Sequence, residues 1–214
     1  MRSRFDEQLE SLNRALIEMG SLCEEVIDIV TNALVEGNRH LAKKVAPLDC
    51  EIDRMERSIE SMCLKLLLHQ QPVARDLRMI SSALKMITDM ERIGDQAEDI
   101  AEIIGFLDKD AGLKGTSLQR MGESASGMVA QSVEAYVGKN LDLARKVVAQ
   151  DDIVDNLFVE VKRELIGEVS NNPTEGEYIL DLLMIAKYFE RIGDHAVNIA
   201  QWVVFSVTGE HEEE

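Results

Sequence analysis

The pentapeptide Glu-Arg-Ile-Gly-Asp stands twice in this chain, at Glu91–Asp95 and at Glu190–Asp194, 99 residues apart (190 − 91). Inside a helix, the Glu and Asp of each copy lie one turn apart on one face. Like charges at that spacing repel and weaken a bare helix, so the repeated pair points to a cation held between the carboxylates. A second acidic pair is duplicated too: Asp49 and Asp53 answer to Asp151 and Asp155, displaced by 102 residues (155 − 53). Hard cations take oxygen ligands, and multinuclear metal clusters relieve the repulsion of gathered carboxylates. In a chain with 40 acidic residues, one such pair is ordinarily a solvated helix face. Two different pairs at matching places in two halves favour metal.

The candidate ligands are thus Asp49, Asp53, Glu91 and Asp95 in the first half, and Asp151, Asp155, Glu190 and Asp194 in the second. Asp99 adds a carboxylate one turn beyond Asp95, where the second half has Asn198. His195 replaces Gln96 and reads as a hydrogen-bond partner rather than a ligand. Gly94 and Gly193 sit within the motifs, where a glycine weakens a helix by about 1 kcal/mol relative to Ala and suggests close approach by a neighbour. Arg92 and Arg191 point away from the motif face and are expected to pair with acids on another helix.

Helices must position these groups. Phe5, Leu9, Leu12, Leu16, Met19, Cys23, Val26, Val30 and Ala33 alternate steps of four and three, a seam on a long helix that Gly37 can end. A short helix over 38–45 follows. Pro47 predicts a kink, with a second long helix from about Leu48 to Leu68. A third opens at Pro72 and runs to Phe106. The second half repeats the plan: a helix marked by Met121, Ala125, Met128, Ser132 and Ala135, a short helix over 141–148, one over 152–169, and a last one from Asn171-Asn172-Pro173 to Val207. The expectation is an all-α fold of six main helices in two pseudo-symmetric, tandem three-helix bundles: 1–108, a linker over 109–116, 117–208, and a frayed acidic tail over 209–214. The change of offset from 102 to 99 is expected to lie in the inter-helix loops.

Composition narrows the function. The 214 residues carry a net charge of −17, which argues against nucleic acid as a partner. Three cysteines without metal-like spacing read as reduced thiols of a cytoplasmic protein. No run approaches the roughly 18 apolar residues of a membrane span, so membrane contact is expected only through partners. One local exception to the acidity is the basic stretch Gln71-Pro72-Val73-Ala74-Arg75-Asp76-Leu77-Arg78, which opens a helix where free N–H groups favour anions. Its counterpart, Thr174-Glu175-Gly176-Glu177, is acidic.

These features together resemble the PhoU family of phosphate-transport accessory regulators. The resemblance is carried by the tandem plan, Gln70–Arg78, the two Glu-Arg-Ile-Gly-Asp motifs, and Asp-His-Ala-Val-Asn-Ile-Ala at Asp194–Ala200. It implies that the paired acids hold a multinuclear metal cluster, iron first, with zinc, manganese, nickel or magnesium as alternatives. It also implies a regulator that restrains phosphate uptake and the starvation response; a homodimer is expected, and the lack of paired nucleophile, base and oxyanion groups in the sequence points to a role without catalysis. Its partners would be the ATPase of the phosphate ABC transporter and a PhoR-type sensor histidine kinase. The rival reading is a di-metal carboxylate oxidase or ferroxidase, which uses two Glu-x-x-His motifs facing one core. None of His40, His69, His195 and His211 belongs to one.

Overall fold

The structure, a computed structural model, describes residues 2–70, 72–107, 112–113, 115–171 and 173–210. They are all-helical: α1 (Arg2–Glu36), α2 (Arg39–Ala42), α3 (Val45–Gln70), α4 (Ala74–Phe106), α5 (Ser117–Gly138), α6 (Leu141–Asn171) and α7 (Gly176–Thr208), with a 3-10 turn at Pro173–Glu175 before α7. The α1 seam is buried from Leu12 to Ala33, and the Cys23 thiol donates to the Met90 carbonyl at 3.4 Å. Of the linker and tail, residues 109–111, 114 and 211–214 lie outside the described residues.

Three helix boundaries differ from expectation. The short helix over 141–148 and the helix over 152–169 are one, because Ala149-Gln150 offers no breaker between them. In the first half Lys43 and Lys44 do separate α2 from α3, but α3 starts at Val45, ahead of Pro47, rather than at Leu48. Pro47 is then its third residue, where the missing N–H costs nothing because no intrahelical carbonyl awaits it. Pro72 stays outside α4, whose N-cap is Val73 without a side-chain hydrogen bond.

The offset change also has a different cause. The α3–α4 and α6–α7 connections are similar, but 17 residues of α4 precede Glu91 (91 − 74) and only 14 of α7 precede Glu190 (190 − 176). About one helical turn is missing from the start of α7.

In each half, three long helices pack together, and the halves join through α1 on α5 and α4 on α7 into one continuous core. The join is pseudo-two-fold. Gly20 of α1 faces Val133 of α5, and Thr31 of α1 faces Gly122 of α5; adding 102 to the α1 residue of each pair gives the α5 residue of the other. An added Cβ would lie 2.9 Å from Val133 Cγ2 at Gly20 and 2.2 Å from Thr31 Oγ1 at Gly122, so both glycines let the helix backbones close in. On the other side Asp89 of α4 accepts from Asn198 Nδ2 at 3.1 Å, and Asp99 of α4 pairs with Tyr188 of α7. These two pairs are images under a shift of 99. Such reciprocity is the signature of an isologous contact.

The caps repeat as well. α1 ends with Gly37 at φ 64°, Asn38 N–H donating to Ala33 O at 2.8 Å and Gly37 N–H to Leu34 O at 3.4 Å. α5 ends in the same motif, with Asn140 N–H donating to Ala135 O at 2.9 Å and Lys139 N–H to Tyr136 O at 3.2 Å. The side chains of Asn38 and Asn140 then cap α2 and α6 respectively.

Candidate metal-binding faces

The first face lies between α3 and α4. Asp49 and Asp53 share one side of α3 because they are a turn apart, and the short connection brings α4 back antiparallel to set Glu91 and Asp95 beside them. Asp49 is the innermost. It is 7% exposed, and its Oδ1 is buried without a hydrogen-bond partner. Burial, with Glu98, Asp95, Asp53 and Glu91 adding their charges, pushes its carboxyl up to about 6. Glu91 and Asp95 are raised too, by burial and then by each other's cluster: Asp95 acts on Glu91, and Asp53 on Asp95.

The face is larger than the duplicated pairs. Glu56 and Glu98 are raised by burial and by neighbouring acids, Glu60 foremost for Glu56 and Glu102 for Glu98. Read along the helices, positions 49, 53, 56 and 60 and positions 91, 95, 98 and 102 alternate steps of four and three, and all eight are acids. This periodicity, the same that marks the α1 seam, was the available signal for Glu56 and Glu98. Asp99 stands apart from Glu98: it accepts from the Tyr188 hydroxyl across the α4–α7 join.

The second face, between α6 and α7, keeps only half the stripe. Positions 151, 155, 158 and 162 are Asp, Asp, Phe and Lys; positions 190, 194, 197 and 201 are Glu, Asp, Val and Gln. Burial, followed by Asp155, Asp194, Asp152 and Glu190, pushes Asp151 up to about 6. Asp194 is raised by burial and Glu190, against Lys187 and His195. Lys187, in the place of Thr88, forms an ion pair with Glu190. Its ammonium and that of Lys162 sit 5.7 and 5.5 Å from the Phe158 ring centre. The second face therefore has two lysines among four acids, whereas the eight acids of the first have Arg57, ion-paired to Asp53 at 2.8 Å, and Arg92 beside them.

His195 hydrogen-bonds Asp89 at 2.9 Å, the partner role expected of it. Arg191 reaches an amide, Gln96 Oε1 at 3.5 Å, not an acid. Arg92 is near enough for its charge to lower Glu91 and Asp95, so it acts on the motif acids of its own helix.

Two observations bear on whether cations fit. The orphaned Asp49 oxygen is a buried acceptor that lacks a donor, and such groups are costly unless something satisfies them. Gly94 makes its room: a Cβ there would lie 2.6 Å from Asp49 Oδ1. At Gly193 the same Cβ would meet Val154 at 3.5 Å and Asp151 Oδ1 at 3.7 Å, ordinary contacts. Among the described residues, no three His, Cys, Asp or Glu side chains are already drawn together as a metal cage. The first face fits an oxygen-liganded cation better than the second.

The PhoU domain family matches the chain twice, over residues 16–104 and 118–203. The chain belongs to the PhoU family. It is 36% identical over 213 residues to a phosphate-specific transport system accessory protein PhoU homolog of Clostridium acetobutylicum, covering 97% of this chain and 96% of that one. To the homolog of Pseudomonas aeruginosa it is 34% identical, covering 96% of this chain and 86% of that one. The crystal structure of PhoU from Pseudomonas aeruginosa superposes with a TM-score of 0.88 at 33% identity, over 96% of this chain and 100% of the other. That of the phosphate transport system regulatory protein PhoU from Streptococcus pneumoniae gives 0.90 at 25% identity, over 98% and 100%. The PhoU relatives are named as accessory and regulatory proteins of phosphate transport, not as enzymes. No helix among the described residues is long and apolar enough to cross a membrane.

Proposed function

We propose that this chain is a cytoplasmic, metal-holding accessory regulator of phosphate transport. It restrains uptake and the phosphate-starvation response by linking the ATPase of a phosphate ABC transporter to a PhoR-type sensor histidine kinase. The names of its PhoU relatives support the transport role. The observation that carries the metal part is the buried, unpartnered Asp49 Oδ1 in a stripe of eight carboxylates. Asp49, Asp53, Glu91 and Asp95 would hold the first cluster, with Glu56 and Glu98 beside them. Asp151, Asp155, Glu190 and Asp194 would hold a weaker one. Iron is the first expectation, then zinc, manganese, nickel or magnesium. Bound cations would neutralise the acids and cross-link α3 to α4. The role is regulatory rather than catalytic: no Glu-x-x-His pair is present for oxidase chemistry, and His195 is committed to Asp89.

The same reading takes the chain as a homodimer, for which exposed apolar residues such as Phe106, Ile166 and Leu180 offer contact area. Sedimentation equilibrium checks it.

The central test has two arms. Calorimetric titration of iron(II) and manganese(II) should saturate on the wild type and weaken at least tenfold in Asp49→Asn. Pull-downs with the transporter ATPase and the kinase should succeed at low salt and weaken as salt rises, because exposed charges are screened. Failure of both partners to bind at low salt would sink the linking role. Equal metal binding in wild type and variant would return the stripe to a solvated face.

A further inference from the structure

A cluster of cationic side chains lies away from both metal faces. A cavity of about 440 Å³ opens where the start of α4 meets the ends of α5 and α7. Arg75, Arg78 and Lys139 line it, with Met79, Tyr136 and Ser206 behind them. Among the described residues, no carboxylate or terminal helix carbonyl is hydrogen-bonded or ion-paired to any of the three cationic side chains. Arg78 Nε is buried and lacks any partner. The hydroxyls are already spent on backbone: Tyr136 donates to Met79 O at 2.9 Å and Ser206 to Val203 O at 2.7 Å. The unsatisfied donors of the cavity are thus cationic nitrogens.

Lys139 makes the case sharper. Its backbone is left-handed, φ 50° and ψ 40°, a region that costs a side-chain-bearing residue about 1–2 kcal/mol. Its image in the first half is Gly37, the residue that fits there without strain. The chain keeps a lysine where its own duplicate uses glycine. A strained residue at a cavity wall is a reason to look for function.

The internal repeat supplies a control for the whole site. The images of Arg75, Arg78 and Lys139 are Thr174, Glu177 and Gly37. The images of Tyr136, Ser206 and Met79 are Leu34, Leu107 and Tyr178, and the space they line is closed to about 10 Å³. Arg39 lines that closed space, so the twin has a cation of its own but neither the open volume nor the images of Arg75, Arg78 and Lys139 as cations.

We propose that this cavity binds a tetrahedral oxyanion, either inorganic phosphate or the terminal phosphoryl group of a small metabolite. Two guanidinium forks suit the oxygens of such a group, and the ammonium adds a point charge. α4 begins here without a side-chain cap, so its first N–H groups are available to an anion, while Asp76 in that turn and the C-terminal ends of α5 and α7 offset its dipole; the attraction rests on the three cationic side chains. The volume exceeds what one oxyanion fills and leaves room for water or a small organic tail. The inference goes beyond the regulatory reading and does not depend on it.

The test is calorimetric titration of the full chain with inorganic phosphate and, separately, glycerol 3-phosphate, at constant ionic strength against a chloride control. We expect saturable heat with one or both ligands, the stronger of them identifying the source. Arg75→Gln/Arg78→Gln should weaken it at least tenfold. Lys139→Gly should weaken it severalfold while urea unfolding shows unchanged or higher stability, since glycine relieves the left-handed strain. Heat no greater than chloride's up to about 10 mM would overturn the proposal. So would undiminished heat in the double variant, because the anion would then sit elsewhere, for instance on metal at the acidic faces. A silent titration leaves the transporter pull-downs unaffected, so the two readings fail separately.

Discussion

Gly94 on α4 leaves open the space that the buried carboxylate of Asp49 on α3 occupies: an added Cβ would come within 2.6 Å of Asp49 Oδ1 and 3.2 Å of Ile52 Cδ1. Alanine there gains about 1 kcal/mol of helix propensity but overpacks a site that cannot readily yield, at about 1–3 kcal/mol. Gly94→Ala should therefore lower stability by about 1 kcal/mol and disrupt the first face. Gly193→Ala meets only ordinary contacts and should raise stability by about 0.5–1 kcal/mol. Urea unfolding of both variants checks the contrast; equal effects would mean that the two glycines do the same job.

The acids dictate a pH dependence. Asp49 and Asp151 are raised from about 3.8 to about 6 in the folded state. Between those values the folded chain holds protons that the unfolded chain has lost, so metal-free stability falls as pH rises through this window. The loss is complete above about pH 6. Metal needs the deprotonated acids and removes their repulsion, so its stabilising effect should grow over the same range. Thermal melts from pH 4 to 8 with and without manganese measure both trends; a metal-free protein that gains stability from pH 4 to 6 would contradict the cause assigned here.

Lys187 distinguishes the two faces. Placing a lysine at its image, Thr88→Lys, should pair Glu91 as Lys187 pairs Glu190 and weaken metal binding on the first face. Lys187→Met should do the reverse on the second, freeing Glu190 as a ligand while lowering metal-free stability. Calorimetric stoichiometry and affinity for both variants decide this. No change in either would show that the ammonium is indifferent to the site.

The join between the halves is most sensitive at Asp89. This buried carboxylate accepts from His195 and Asn198 together, so Asp89→Ala strands two polar groups and should cost about 3 kcal/mol. Asp99→Ala strands only the half-buried Tyr188 hydroxyl and should cost about 1 kcal/mol. Denaturant midpoints compare them. A smaller loss at Asp89 than at Asp99 would refute the ranking.

The helical plan was legible because burial writes itself as steps of four and three, from Phe5 to Ala33 and again from Met121 to Ala135. The facing of Asp49/Asp53 with Glu91/Asp95 followed from a short antiparallel connection. Glu56 and Glu98 were not found because duplication was the guide, and their images are Phe158 and Val197. The continuity of α6 was hidden for a different reason: nothing local says that a short helix joins the next. Lys139 carried no sequence mark at all. Its value lies in a left-handed backbone and in helices that arrive from three parts of the chain.

The paired images at the join, Gly20/Val133 with Thr31/Gly122 and Asp89/Asn198 with Asp99/Tyr188, are what two identical three-helix subunits would share in a symmetric pair. A symmetric pair encoded by one short gene changes every feature twice: a lysine introduced to quiet one acidic face quiets both. Once the copies are joined in a single chain, each substitution falls on one side only. The eight-acid stripe can persist beside a self-neutralised one, and a basic cavity can open on one half while its twin stays shut. Asymmetry is what the fusion makes available, and this molecule has used it at both of these places.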